Sequence, residues 1–194
     1  SLLVSPEESL EDLLASGILL RRNENLEFSH AIFRSVIYDS IGDRWKSEHH
    51  KSLGQYYETT YANRLDEFAY ELARHYSMTK EYVKCSEYSI MAGEKAENSY
   101  SGTQAIFYYQ LAVDALEKHA QGSEESTRIQ ERMGDIATNI GEYPGAIEYF
   151  QNVLSNLGEK SDKIRIWRKL GNVHLRSGEL EDVDMAVKSA HQLE

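Results

Sequence analysis

Trp167-x-x-Leu170-Gly171-x-x-His174 is the stretch on which the reading of the fold turns. It follows Ala146-x3-Phe150 with Val153, and it precedes Val183, Val187 and Ala190. Apolar side chains three and four residues apart share one face of an α-helix. A glycine within such a face lets a neighbouring helix come close, and small residues on that neighbour accept the contact. Met133-Gly134 presents the same feature upstream, 37 residues before Gly171. The spacing predicts two antiparallel helix pairs of one design. A pair of this kind cannot bury its apolar face alone, so it stacks with its neighbours.

Together these residues resemble the tetratricopeptide repeat signature, with His174 where that family prefers Tyr. The resemblance is clearest over 124–194 and extends back through 64–118, where Ala105, Tyr109 and Ala112 fall at the contact spacing of a second repeat helix. It implies an all-α fold, a right-handed superhelix of helix pairs that offers a groove or a face to a protein or peptide. The usual unit is about 34 residues, and the excess in this chain is assigned to a lengthened turn at Leu157–Asp162. Gln121-Gly122-Ser123 reads as a linker. The last apolar face, with Val187, Ala190 and Leu193, lies next to Glu194, and a solenoid normally covers such a face with a polar capping helix. The expectation is a piece of a longer protein.

The N-terminal part differs. Ser5-Pro6-Glu7-Glu8 suits a helix start, with Ser5 as cap, Pro6 at the first position and Glu8 completing a capping box. Leu10, Leu13 and Leu14 form its apolar face and Gly17 ends it. Two short apolar runs around Asn23-Glu24-Asn25 predict a β-hairpin near 18–28. Ser29 is the expected cap of a helix over about 30–41 with Ile32, Val36, Ile37 and Ile41 on its apolar side. Helices follow through Trp45–Tyr57, 64–77, 80–98 and, from the Ser101-x-x-Gln104 box, to about Lys118. The resulting plan is a partial winged-helix-like segment at 1–42, a connecting long helix at 43–63, and repeats at 64–194.

Phe28-Ser29-His30-x3-Arg34-x3-Tyr38-x2-Ile41-x2-Arg44-x4-His49, with Glu71-Leu72-Ala73-Arg74-His75-Tyr76 and Ala92-Gly93-Glu94-Lys95-Ala96, resembles a run in large signalling ATPases. In those proteins an ATPase core leads into a winged helix, this helical run and tetratricopeptide-like repeats. Some are transcription regulators and others are linked to nucleotide cyclases. The resemblance implies a sensor or regulatory arm and carries no catalytic residue into this chain. No Gly-x4-Gly-Lys-Ser/Thr loop is present, so any ATPase or cyclase activity would reside elsewhere. A DNA-binding regulator using the winged helix, with Arg21 and Arg22 in its hairpin, is the alternative, and an accessory part of an ATPase or cyclase the second.

The 194 residues carry 21 Lys and Arg against 32 Asp and Glu, a net charge of −11, which disfavours a phosphate backbone as partner. The single cysteine, Cys85, excludes an intrachain disulfide and is expected as a buried small hydrophobe. No apolar run approaches the ~18 residues of a membrane span, so a cytoplasmic protein is expected. Histidines lack metal-ligand spacing, and neither metal nor cofactor is expected. Most of Tyr82, Tyr88, Tyr100, Tyr108, Tyr109, Tyr143 and Tyr149 are read as core packing with hydroxyls at the rim, in preference to an exposed ladder that could bind a peptide. Trp167 and Phe150 are expected to be structural anchors rather than ligand contacts.

One constellation points to binding. Arg165, Arg168, Asn172 and Arg176 fall on one helix face. Under the repeat alignment they line the groove, where an arginine fork can grip a peptide carboxylate. The rival reading is internal: Glu131 and Asp135 of the preceding repeat pair with Arg165 and Arg168.

Overall fold

The computed structural model describes residues 6–23, 25–119 and 124–193. Ser5, the Glu8 side chain, the Gln121-Gly122-Ser123 linker and Glu194 lie outside the described residues. The fold is all-α with one N-terminal hairpin, and the chain divides into two compact units, Ser1–Lys46 and Ser47–Glu194. The division falls inside one helix, where the sequence plan places its boundaries at 42 and 63.

In the first unit, α1 (Pro6–Ala15) leads to β1 (Leu19–Arg22), β2 (Asn25–Phe28) and α2 (Ala31–Ser40). The strands are antiparallel, with Leu19 opposite Phe28 and Arg22 opposite Asn25. Gly17 closes α1 at φ 73°, and Asn23 takes φ 57° in the hairpin turn, a conformation asparagine tolerates better than most residues. Ser29 does not cap α2. Its amide and its hydroxyl both donate to the Ile18 carbonyl, at 3.0 and 3.2 Å, which ties the hairpin ends together. His30 takes the cap position without a side-chain bond, and Ile32 and Val36 are exposed rather than packed.

The second unit holds most of α3 (Asp43–Thr60), then α4 (Ala69–Ser77), α5 (Tyr82–Asn98), α6 (Gly102–His119), α7 (Glu124–Ile140), α8 (Tyr143–Asn156), α9 (Lys160–Ser177) and α10 (Leu180–His191). From α4 onward each helix packs on the next. Three apolar clusters follow one another along the chain: Leu72, Tyr76 and Tyr88; then Tyr109, Val113 and Met133; then Phe150, Val153, Ile166 and Leu170.

Close approach of paired helices rests on a glycine facing an aromatic ring. A Cβ at Gly134 would lie 2.6 Å from the Phe150 ring, and one at Gly93 would lie 2.6 Å from Tyr109. Gly54 of α3 faces Tyr76 in the same way at 2.7 Å, so the helix read as a connector supplies the first member of the series. Gly171 is the exception: its nearest neighbour would be the Ala186 Cβ, at 3.7 Å.

The lengthened turn at Leu157–Asp162 is not found. Only Leu157–Glu159 separate α8 from α9, because Lys160, Ser161 and Asp162 form the first helical turn. Asp162 is favoured there by the helix dipole and pairs with Arg165 one turn on, at 3.1 Å. Tyr100 also departs from expectation. It is 98% exposed at φ 57°, since it occupies the tight α5–α6 turn instead of a helix face. Tyr88 and Tyr109 are buried as expected.

Candidate functional site

The candidate site is a groove of about 350 Å³ between α9 and α10. Ala186 and Ala190 are buried at its base, and Trp167, Gly171, Leu175 and Val187 form its apolar walls. Arg168 and Asn172 add the polar edge. Leu175 is 59% and Val187 47% exposed, so apolar surface here faces water. The cause is local composition. Val187 stands where α8 carries Phe150 and Ala190 where it carries Val153, so the same helix pairing leaves more space.

The structure separates the four residues expected to act together. Arg168 and Asn172 line the groove. Arg165 turns toward α7, where it pairs with Glu131, and Arg176 is exposed outside the groove lining. The internal pairing is therefore real for Arg165. Asp135 is met by Lys169 at 2.5 Å, and Lys169 also reaches Glu131 at 2.7 Å. Lys169 escaped the sequence reading, although it lies one helical turn beyond Arg165 and so shares its side of α9. Burial opposes ionisation of Glu131, but hydrogen bonds from Arg165 and Lys169 outweigh it and hold the carboxyl below its usual range.

Similar links join earlier helices. Glu58 of α3 accepts from Lys84 at 2.6 Å and from the Tyr88 hydroxyl at 2.7 Å. Arg132 of α7 reaches Glu94 at 3.0 Å and Glu97 at 2.7 Å on α5. Glu97 also accepts from the buried Tyr109 hydroxyl, at 3.0 Å. The rings thus fill the core while their hydroxyls end on carboxylates at the rim.

Trp167 and Phe150 part company. Phe150 is 1% exposed beneath α9, as an anchor must be. Trp167 is only partly buried: it packs against the same cluster from outside and also contributes to the groove wall. The stripe of α9 that enters the core is Ile166, Leu170 and Val173, one residue out of phase with the tryptophan.

Two histidines draw polar groups together. His174 Nδ1 lies 2.8 Å from Glu179 and 3.9 Å from Asp182, which brings three candidate metal ligands together. The direct His174–Glu179 hydrogen bond, with Ser177 also donating to Glu179 at 3.0 Å, reads as a latch on the α9–α10 turn. In that turn Gly178 takes φ 87°. His50 and His75 approach Nδ1 to Nδ1 at 2.8 Å, with His75 buried. Burial, reinforced by Arg74 and His50, lowers the His75 pKa to about 4, and His50 is lowered by burial, Arg74 and His49. Cys85 is buried, which pushes its thiol up and makes it unreactive.

No protein-family model matches the chain, and no curated protein matches it. Among solved structures the chain is similar to "Crystal structure of BtubC (BKLC) from P. vanneervenii". The TM-score is 0.55 at 13% identity, covering 82% of this chain and 69% of that one. At that identity the likeness bears on the fold alone. Among the described residues no helix is long and apolar enough to cross a membrane.

Proposed function

We propose that this chain is a non-catalytic interaction scaffold of the tetratricopeptide type, holding a protein or peptide in the α9–α10 groove. The observation that carries the reading is the groove itself: an open apolar cleft bordered by Arg168 and Asn172 in a repeat whose other seats are filled. Apolar walls supply area that is favourable to bury, and the flanking polar groups set orientation. The order α1–β1–β2 in the first unit supports the closing half of a winged helix. With the resemblance of residues 28–49 to signalling ATPases, this supports reading the scaffold as a sensor or regulatory arm of a larger cytoplasmic protein.

Selection from a displayed peptide library on the wild-type chain and on Val187→Asp tests the reading. Sequences enriched on the wild type and lost on the variant are expected. Equal enrichment on both would remove the groove as the binding site.

A further inference from the structure

The turn between α9 and α10 carries a cluster that the groove does not use. His174 in the last turn of α9, Glu179 at the cap of α10 and Asp182 in its first turn bring three ligating atoms to one place. Nδ1 of the buried imidazole lies 2.8 Å from Glu179 Oε2 and 3.9 Å from Asp182 Oδ2. All three atoms fall within 4.8 Å of one another. In sequence they stand at i, i+5 and i+8 across a tight turn, so they share no helix face and no periodic motif marks them.

The turn itself does not need these side chains. Moving back by the 37 residues that separate Gly171 from Gly134, the α7–α8 turn has Ala137, Glu142 and Gly145 in their places. Its backbone closes in the same way: the Glu142 amide donates to the Ala137 carbonyl at 2.9 Å, as the Glu179 amide donates to that of His174 at 2.9 Å. Gly141 and Gly178 take matching φ angles of 80° and 87°. The free amides at the start of α10 favour acids there. That field does not explain why two carboxylates converge on a buried imidazole while Glu181, of the same turn, stands outside the cluster. An imidazole N–H at Nδ1 needs one acceptor, which Glu179 supplies. Asp182 at 3.9 Å is beyond hydrogen-bond distance and brings a second negative charge to the same point. Carboxylates gathered in this way repel unless a cation lies between them.

We propose that His174, Glu179 and Asp182 form a site for a divalent transition-metal ion of the zinc class, with water in the fourth position. A tetrahedral ion bound at about 2.0–2.1 Å holds its ligands about 3.4 Å apart, and the two distances from Nδ1 straddle that value. Glu179 and Asp182 are half-exposed, so small rotations of their side chains bring both to it. One imidazole nitrogen with two carboxylate oxygens suits Zn²⁺ or Co²⁺, whereas Ca²⁺ and Mg²⁺ favour shells built of oxygen alone. The ion's charge balances the two carboxylates. Ser177, donating to Glu179 at 3.0 Å, holds that carboxylate in place from outside the shell. Bound there, the ion ties the end of α9 to the start of α10.

Calorimetric titration of the full chain, carrying no affinity tag, with zinc chloride in a non-coordinating buffer tests the proposal. The expected result is an ion bound at this turn and a melting temperature raised by about 5 °C when free zinc is a hundredfold above its Kd. Co²⁺ should bind with the intense visible bands of a tetrahedral ion, and Mg²⁺ should do neither. His174→Gln and Asp182→Asn should each weaken zinc by more than tenfold, and Ser177→Ala by about tenfold. Glu181→Gln should leave the affinity unchanged. Circular dichroism reports whether each variant is folded, and the half-exposed Asp182 carries the test should the His174 variant fail to fold. No zinc binding, full affinity in Asp182→Asn, or an equal response to Mg²⁺ overturns the proposal and leaves only the His174–Glu179 hydrogen bond. Peptide selection against Val187→Asp probes a different surface, so the scaffold reading stands or falls separately.

Discussion

Alanine at Gly134 and at Gly171 should change stability in opposite directions, although the two glycines hold the same place in successive helix pairs. In a helix interior Gly→Ala gains about 0.8–1 kcal/mol from lost unfolded-state freedom and better propensity. At Gly134 the new methyl would lie 2.6, 2.8 and 2.9 Å from three atoms of the Phe150 ring. That ring is 1% exposed and packed against Ile166 and Leu170, so it has nowhere to rotate. Overpacking costs about 1–3 kcal/mol; with three ring atoms below 3.0 Å the cost falls in the upper half of that range, so a net loss of about 1–2 kcal/mol remains. At Gly171 the methyl would meet only the Ala186 Cβ, at 3.7 Å, an ordinary van der Waals contact. The propensity gain then stands nearly undiminished. Thermal unfolding followed by far-ultraviolet circular dichroism should show a fall of about 2–6 °C for Gly134→Ala and a rise of about 2–3 °C for Gly171→Ala. Shifts of the same sign would refute the claim that the α9–α10 pair is the looser of the two. Gly134→Ala combined with Phe150→Leu should recover part of the loss, because the shared contact couples the sites.

Phe150→Ala should cost about 3–5 kcal/mol in urea unfolding, since it empties the seat of α9, whereas Trp167→Ala should cost less than half as much. Lys169→Ala should cost about 1–2 kcal/mol, because it leaves the half-buried Glu131 and Asp135 with fewer partners, while Arg168→Ala should change stability by no more than about 0.5 kcal/mol. A larger effect for Arg168 would place it in the internal network. His75 is held neutral, with its pKa lowered from 6.5 to about 4. On acidification the unfolded chain takes up this proton near pH 6.5 and the native chain only near pH 4. The stability it contributes is therefore complete above pH 6.5 and is lost progressively down to pH 4. About 1–2 kcal/mol should disappear between pH 7 and pH 5, after allowing for water reaching His50. His75→Gln should remove that slope in urea titrations, and an unchanged slope would assign it to other groups.

Periodicity alone determined the helices, because burying one face of an amphipathic segment demands the spacing that residues 64–194 display. The hairpin was legible for the same reason, from two short apolar runs and an asparagine turn. So were the buried sides of Ala105, Tyr109, Ala112 and Phe150, whose neighbours in sequence leave them one face to pack. Contacts between helices were decided by tertiary structure. Arg165 and Arg168 share a face by spacing, yet Arg165 meets Glu131 and Arg168 lines the groove. A few tens of degrees around a helix axis direct one side chain to the preceding helix and the other to the following one. Likewise Trp167 reads as an anchor in a signature, but the core-facing stripe runs one residue earlier, through Ile166. The groove arises from a difference between two seats, Val187 for Phe150 and Ala190 for Val153. The sequence contains that substitution in plain sight, and only the packing of α9 on its neighbours shows what those larger residues fill.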